Sequence, residues 1–157
     1  MPAGYGVESA TKEVAWDSVV VKLVESRNYW LATTRRDGRP HVVPRWGVWL
    51  DDRFWYDGSP ETLHVRNLKL DPACALHLES GSDVVIVEGV SLQPEPIMGE
   101  LGERLAAEYS RKYGPEYTPD PGQWSGDLAG GMRYLEPHKA MAWTEFPNDL
   151  TRFTFPP

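Results

Sequence analysis

Residues 29–50 read YWLATTRRDGRPHVVPRWGVWL, two β-branched and aromatic runs on either side of Asp37-Gly38. Such runs suit a pleated, half-buried surface, and Asp-Gly between them is a strong signal for a two-residue hairpin turn. Tyr29 to Arg36 and Arg39 to Leu50 are therefore read as paired antiparallel strands. The second run carries Pro40 and Pro44, which have no N–H to give to a ladder. It belongs at an edge, a strand start or a bulge, and it leaves backbone free to meet something else.

Working outward, Asp51-Asp52 turns the chain into a third strand, Arg53 to Asp57. Ser59-Pro60-Glu61 then has the form of a helix start: a Ser N-cap, Pro in the first helical position and an acid in the first turn. That helix is expected to run to about Leu70, where Asp71-Pro72 stops it. Strands follow at Ala73 to Glu79 and Asp83 to Leu92, joined across Gly81-Ser82. A helix near Gly99 to Tyr113 carries Leu101, Leu105 and Tyr109 at spacing four. The Pro- and Gly-rich stretch 114–131 reads as a loop, and two last strands, Met132 to Phe146 and Leu150 to Phe155, turn at Pro147-Asn148-Asp149. On the N-terminal side, Trp16, Val19, Val20, Leu23 and Val24 mark one face of a helix from Lys12 to Glu25, so residues 1–27 supply a bracing helix. Six or seven antiparallel strands with few helices make a mainly β, barrel-like single domain spanning residues 1–157.

The 157 residues fit one domain, and a 41% hydrophobic content with seven Trp, seven Tyr and four Phe is enough for an aromatic-rich core. The formal charge of −7 excludes a general nucleic-acid binder, whose affinity rests on neutralising phosphates. Any anion site must be local, and Arg35, Arg36, Arg39 and Arg45 cluster on the first hairpin. Cys74 is the only cysteine, which fits a reducing compartment. Met1 to Thr11 has no basic cluster leading into an apolar run, and no stretch is long and apolar enough for a membrane span. A cytoplasmic protein with no membrane partner is expected.

The helix opened by Ser59 also carries Thr62, His64, Arg66 and Lys69. Free N–H groups, the positive end of the helix dipole and these side chains suit a phosphate. His41, His64, His77 and His138 show no metal-ligand spacing, so no metal is expected; His77 reads as a packed strand residue and His138 as a loop residue at a kink. Rossmann, P-loop and G-x-S-x-G patterns do not occur. Trp46, Trp49, Trp55, Trp124 and Trp143 suit either a core or a pocket for a planar ring.

Several of these segments follow one another in a recognisable order: Trp30-Leu31-Ala32-Thr33-Thr34, Asp37-Gly38-Arg39-Pro40, Val43-Pro44 with Trp46, Asn67-Leu68, Asp71-Pro72, Glu88-Gly89, Trp143 and Thr151-Arg152-Phe153. From Tyr29 to Phe155 the chain resembles the pyridoxamine 5'-phosphate oxidase-like superfamily of FMN- and F420-dependent proteins. The resemblance implies a six-stranded antiparallel split β-barrel, a homodimer with a cofactor at each end of its interface, and FMN, or alternatively F420, as that cofactor. It implies that the phosphate meets His41, Tyr56, Asp57, Ser59 and His64 and that the ring lies along Val43 and Pro44. Trp143 and Arg152 would reach in from the partner subunit. His41 and His64 stand where the family has basic residues, which makes phosphate binding weaker or pH-dependent unless Arg45, Arg66 or Lys69 compensates. Asn148 and Leu150 stand near where true oxidases carry an Arg and a His, so pyridoxamine phosphate is not the expected substrate. The resemblance thus implies an oxidoreductase acting on another small molecule, with Tyr109 or Tyr113 available as a proton donor. The alternatives are a non-catalytic carrier of a flavin, a deazaflavin or haem, and a structural dimer with an empty groove.

Overall fold

The computed structural model describes residues 12–156, and the leader-free reading of Met1 to Thr11 lies outside them. Among the described residues eight strands form one antiparallel sheet: β1 (Tyr29–Thr34), β2 (Pro40–Arg45), β3 (Val48–Leu50), β4 (Arg53–Tyr56), β5 (Ala73–His77), β6 (Val84–Leu92), β7 (Arg133–Trp143) and β8 (Thr151–Thr154). Their order is β2-β1-β5-β6-β7-β4-β3, with β8 also paired to β7. The two outer strands of this path, β2 and β3, are separated by only Trp46 and Gly47. Because the end of one is tied to the start of the other, the path returns on itself and the sheet curls round into a split barrel.

The run expected as one strand from Arg39 to Leu50 is thus two, so the seven runs read from the sequence become eight strands. Gly47 explains the break: a Cβ there would stand 2.4 Å from the Phe54 ring and 2.5 Å from the Trp55 carbonyl oxygen. The backbone passes too close to β4 to carry a side chain. Its peptide is held from outside, where the N–H donates to the Tyr113 hydroxyl at 2.8 Å and the carbonyl accepts from Lys112 Nζ at 3.2 Å.

The first hairpin also departs from the two-residue turn. Gly38 N donates to Arg35 O at 2.8 Å and Arg35 N to Arg39 O at 2.9 Å, so Arg36 and Asp37 occupy the turn centre and Gly38, at φ +81°, follows it. This longer loop needs a positive φ at one residue only, and glycine supplies it.

Helix α1 (Trp16–Glu25) buries Val19 and Leu23, while Trp16 packs on Trp49, Phe153 and Phe155 with ring centroids 4.9–6.3 Å apart. Inside the barrel lie Leu31, Phe54, Tyr56, Leu76, Val87 and Leu135. A second core forms outside it, where α3 (Glu100–Tyr113) lays Leu105, Tyr109 and Tyr113 over Val48 and Trp55. Burial of each such side chain is worth about 1.5–3 kcal/mol. Strand β4 therefore reads Phe-Trp-Tyr without polar alternation because both its faces are covered.

Helix α2 (Leu63–Leu70) begins later than Ser59-Pro60 suggests. Thr62 N donates to Ser59 O at 3.2 Å, which closes a β-turn with Pro60 at its second position, a place Pro also favours. Thr62 is extended, with φ −67° and ψ 152°, and the helix starts after it. His138 lies within β7 at a bulge rather than in a loop: β6 and β7 shift register between Glu88 and Gly89, where a Cβ on Gly89 would meet Glu136 O at 2.0 Å. The bulge is also where Pro137 is tolerated in the strand. Among the described residues no helix is long and apolar enough to cross a membrane.

Candidate functional site

Strand β2 pairs only with β1, so its other edge is open, and its burial alternates. His41, Val43 and Arg45 turn inward while Pro40, Val42 and Pro44 are exposed. At the β4 end of the barrel the inward groups of β2 meet Tyr56, α2 and the start of β7. The Arg45 guanidinium sits 5.9 Å from the Tyr56 ring centre and donates to the main-chain oxygen of Asp57, while its Nε is buried with no partner among the described residues. The Tyr56 hydroxyl lies 2.6 Å from Ser91 Oγ. Arg133, only 6% exposed, donates from Nε to Ser91 Oγ at 3.1 Å and from Nη2 to Ser91 O at 2.7 Å.

His64 is buried beside them, 6.3 Å from the Tyr56 ring and 3.4 Å from Thr62 Oγ1. Burial, then the charges of Arg45, His41 and Arg133, push its pKa down to about 4. All three neighbours thus act on one imidazole, and no carboxylate among the described residues offsets them. A buried cation without a counter-charge is costly, so this pole is suited to receiving an anion.

The Asp57 carboxylate is engaged within the chain. Its Oδ2 accepts hydrogen bonds from the Tyr117 hydroxyl at 2.6 Å, Trp124 Nε1 at 3.1 Å and Gln123 Nε2 at 3.3 Å. The carboxylate pins the 114–131 segment against the end of β4, and in doing so it raises the Tyr117 pKa, to which burial contributes most. Ser59 does not cap the helix: its exposed Oγ accepts from Glu61 N at 3.3 Å. The Val43 side chain packs against the barrel core, and Pro44 borders a cleft of about 310 Å³ with Arg45, Trp46, Asp57, Tyr109 and Tyr117. On one wall of this cleft Trp46 stacks on Tyr113 at 4.7 Å.

Of the residues read from the sequence, His41, Tyr56 and His64 gather at the pole, and Arg45 joins them. Arg66 and Lys69 do not; Arg66 lines a separate groove with Arg35 and Arg36. Trp143 and Arg152 lie toward the far end of β7, Arg152 opposite Met141. Trp143 lies ten residue steps along the strand from Arg133, about 30 Å, so within one chain it stands well away from the pole, as does Arg152 beside it. Tyr109 is fully buried and donates to Trp55 O at 3.1 Å, and the Tyr113 hydroxyl is tied to Gly47 and Arg27, so both serve the α3 interface. Arg133 was not singled out by sequence; it opens a strand that also carries Glu136, His138 and Lys139, so its residue type alone was no signal. Among the described residues no three His, Cys, Asp or Glu side chains gather as a metal site.

Solved structures share this fold. The conserved hypothetical protein Rv2991 from Mycobacterium tuberculosis is 22% identical with a TM-score of 0.67, the match covering 87% of this chain and 89% of that one. An F420 reductase is 23% identical with a TM-score of 0.56, covering 76% and 93%. A haem-binding protein from Mycobacterium smegmatis is 16% identical with a TM-score of 0.62, covering 86% and 56%. No curated protein matches the sequence significantly. The family described as pyridoxamine 5'-phosphate oxidase matches residues 17–128, well over half the chain. With that match and a split barrel of the same architecture, the chain belongs to the pyridoxamine 5'-phosphate oxidase family.

Proposed function

We propose that this protein is an oxidoreductase that binds FMN, with F420 as the alternative cofactor, and passes a hydride to or from a small molecule. The observation that carries the reading is the convergence of Arg45, Arg133, His41 and His64 on one buried pole without a carboxylate. The orphaned Nε of Arg45 and the acid-free Arg133 are the donor set a phosphate monoester needs. Two guanidiniums suit the dianionic phosphate of FMN better than the singly charged diester of F420. The ring would lie along the open edge of β2, beside Pro44 and the Trp46 wall.

When bound, the cofactor supplies the hydride chemistry. The chain's residues bind and orient it: Arg133 and Arg45 hold the phosphate, His64 gains a proton as the anion approaches, and Tyr56 with Ser91 keeps Arg133 aimed. Asp57 fixes the 114–131 segment that closes one side of the cleft. A second copy would bring Trp143 and Arg152 to the cofactor, since their own pole is about 30 Å away. A homodimer in which each site draws on both chains follows.

A carrier role is the competing reading, supported by the haem-binding protein of the same fold. Titration of the purified protein with FMN, F420 and haem, followed by reoxidation of the reduced cofactor with candidate acceptors, separates them. Tight binding of FMN or F420 with turnover supports the enzyme; binding without turnover, or preference for haem, supports the carrier.

A further inference from the structure

One wall of the cleft of about 310 Å³ beside Pro44 is built before any ligand arrives. Trp46 lies 4.7 Å from Tyr113 and within 14° of parallel to it, so one face of the indole is covered. The stack is held from two sides. The Tyr113 hydroxyl accepts from Gly47 N at 2.8 Å, next to Trp46 in the chain. The Arg27 guanidinium, paired with Glu116, sits 5.4 Å from the Trp46 ring and 5.5 Å from the Tyr113 ring. The indole is nevertheless 39% exposed and borders the cleft, so its other face is a platform set in advance for a flat ring.

The polar groups of the cleft narrow the choice of ring. The Tyr109 hydroxyl gives its proton to Trp55 O at 3.1 Å, and the Tyr117 hydroxyl gives its own to Asp57 Oδ2 at 2.6 Å, so neither is left to donate. Arg45 is turned to the pole, over Tyr56, and donates to Asp57 O. Asp57 is different. Its side-chain hydrogen bonds, from Tyr117, Gln123 and Trp124, all end on Oδ2, and Oδ1 receives none from the described residues. A carboxylate oxygen of this kind beside a cleft takes a donor from a ligand and disfavours a second negative charge.

We propose that the cleft takes a flat conjugated molecule of one or two fused rings, with an O–H or N–H group on its edge and no negative charge. The ring lies on Trp46 and the edge donor meets Asp57 Oδ1. A cleft of this volume stands at the lower end of the range for ligand pockets, which limits the ring count. That such a molecule is the hydride-transfer partner rests on the oxidoreductase reading; the binding itself does not.

The test is calorimetric titration of the full chain at neutral pH with three probes of one ring shape: 6-hydroxyquinoline, 6-methoxyquinoline and quinoline-6-carboxylate. The hydroxyl compound should bind at least about tenfold more tightly than the other two. Asp57→Asn keeps an oxygen for Tyr117, Gln123 and Trp124 and puts an amide NH2 in place of Oδ1, so it should erase the preference. Trp46→Leu should weaken the hydroxyl compound about tenfold. The wild-type comparison decides the matter whether or not the variants fold. Absence of binding by the hydroxyl compound, equal binding of the three probes, or a preference that survives in Asp57→Asn overturns the proposal. The titration is then repeated with FMN or F420 bound, where the hydroxyl compound should still bind. Its displacement would make the cleft the seat of the cofactor ring and would also overturn the proposal. If neither cofactor binds, the oxidoreductase reading falls while the three probes still decide what the cleft takes.

Discussion

Arg133 grips Ser91 twice, through Nε on the hydroxyl at 3.1 Å and through Nη2 on the carbonyl at 2.7 Å, and Ser91 Oγ in turn lies 2.6 Å from the Tyr56 hydroxyl. A neutral serine thus fixes the direction of a buried cation without cancelling its charge. That charge meets no carboxylate among the described residues.

Arg133→Met keeps much of the side-chain bulk and removes that charge. FMN affinity should fall at least about tenfold, which is 1.4 kcal/mol, with the fold retained by circular dichroism. Arg133→Lys should recover part of the loss. Unchanged affinity in the methionine variant would move the phosphate elsewhere.

His64 titrates near 4 in the folded protein against an ordinary 6.5. Between these values the unfolded chain binds the extra proton, so stability is lost as pH falls through this window. Melting temperatures measured from pH 7 to pH 4 should drop less steeply in His64→Gln. FMN should shrink the wild-type slope, because a phosphate beside the imidazole raises its pKa.

Lys112 behaves in the same sense at the basic end. Burial, then Arg111, pushes its pKa down to about 8 from 10.5, while its ammonium donates to Tyr29 at 2.6 Å and to Gly47. The unfolded chain holds more protons between pH 8 and 10.5, so this group makes stability rise with pH there. Denaturation series at pH 8 and pH 10 should show that gain in the wild type and a smaller one in Lys112→Met.

Asp57→Ala removes the acceptor shared by Tyr117, Gln123 and Trp124. A stability loss of about 1–3 kcal/mol in urea titration is expected, mostly from the N–H of the buried Trp124 left unpaired. Proteolysis should begin in 114–131. An intact segment in the variant would show that packing of Trp124 alone holds it.

Subunit mixing checks the composite site. His64→Ala and Arg152→Ala should each bind FMN poorly as homodimers. After unfolding and refolding together, half of the dimers are mixed and each of those regains one of two sites, about one quarter of the wild-type capacity. No recovery would mean that both residues serve the same chain's site or that Arg152 serves none.

The fold was legible because its signals are local. Val, Ile, Thr and aromatic runs marked the strands, Asp37-Gly38 and Asp51-Asp52 marked the hairpins, and Pro40 and Pro44 marked β2 as the edge it is. The errors arose where a signal serves two structures. Pro60 fits the first position of a helix and the second of a β-turn equally well, and the β-turn formed. Gly47 looked like one more strand residue, because its closeness to Phe54 is a tertiary fact. At the site, the histidines and Tyr56 could be found through their order along the chain. Arg133 could not, since it approaches Tyr56 only through the pairing of β7 with β4. The partners of the Asp57 carboxylate were hidden for the same reason: they are sixty or more residues away.

The two-residue link between β2 and β3 has a mechanical consequence. Arg45 and Val48 are three Cα steps apart, so however the barrel fluctuates they cannot separate by more than about 11 Å. The seam of the barrel is thus tethered at one end, by covalent bonds rather than by a lock of side chains. Any widening of the seam must therefore start from the far ends of β2 and β3, with Arg45 at the hinge.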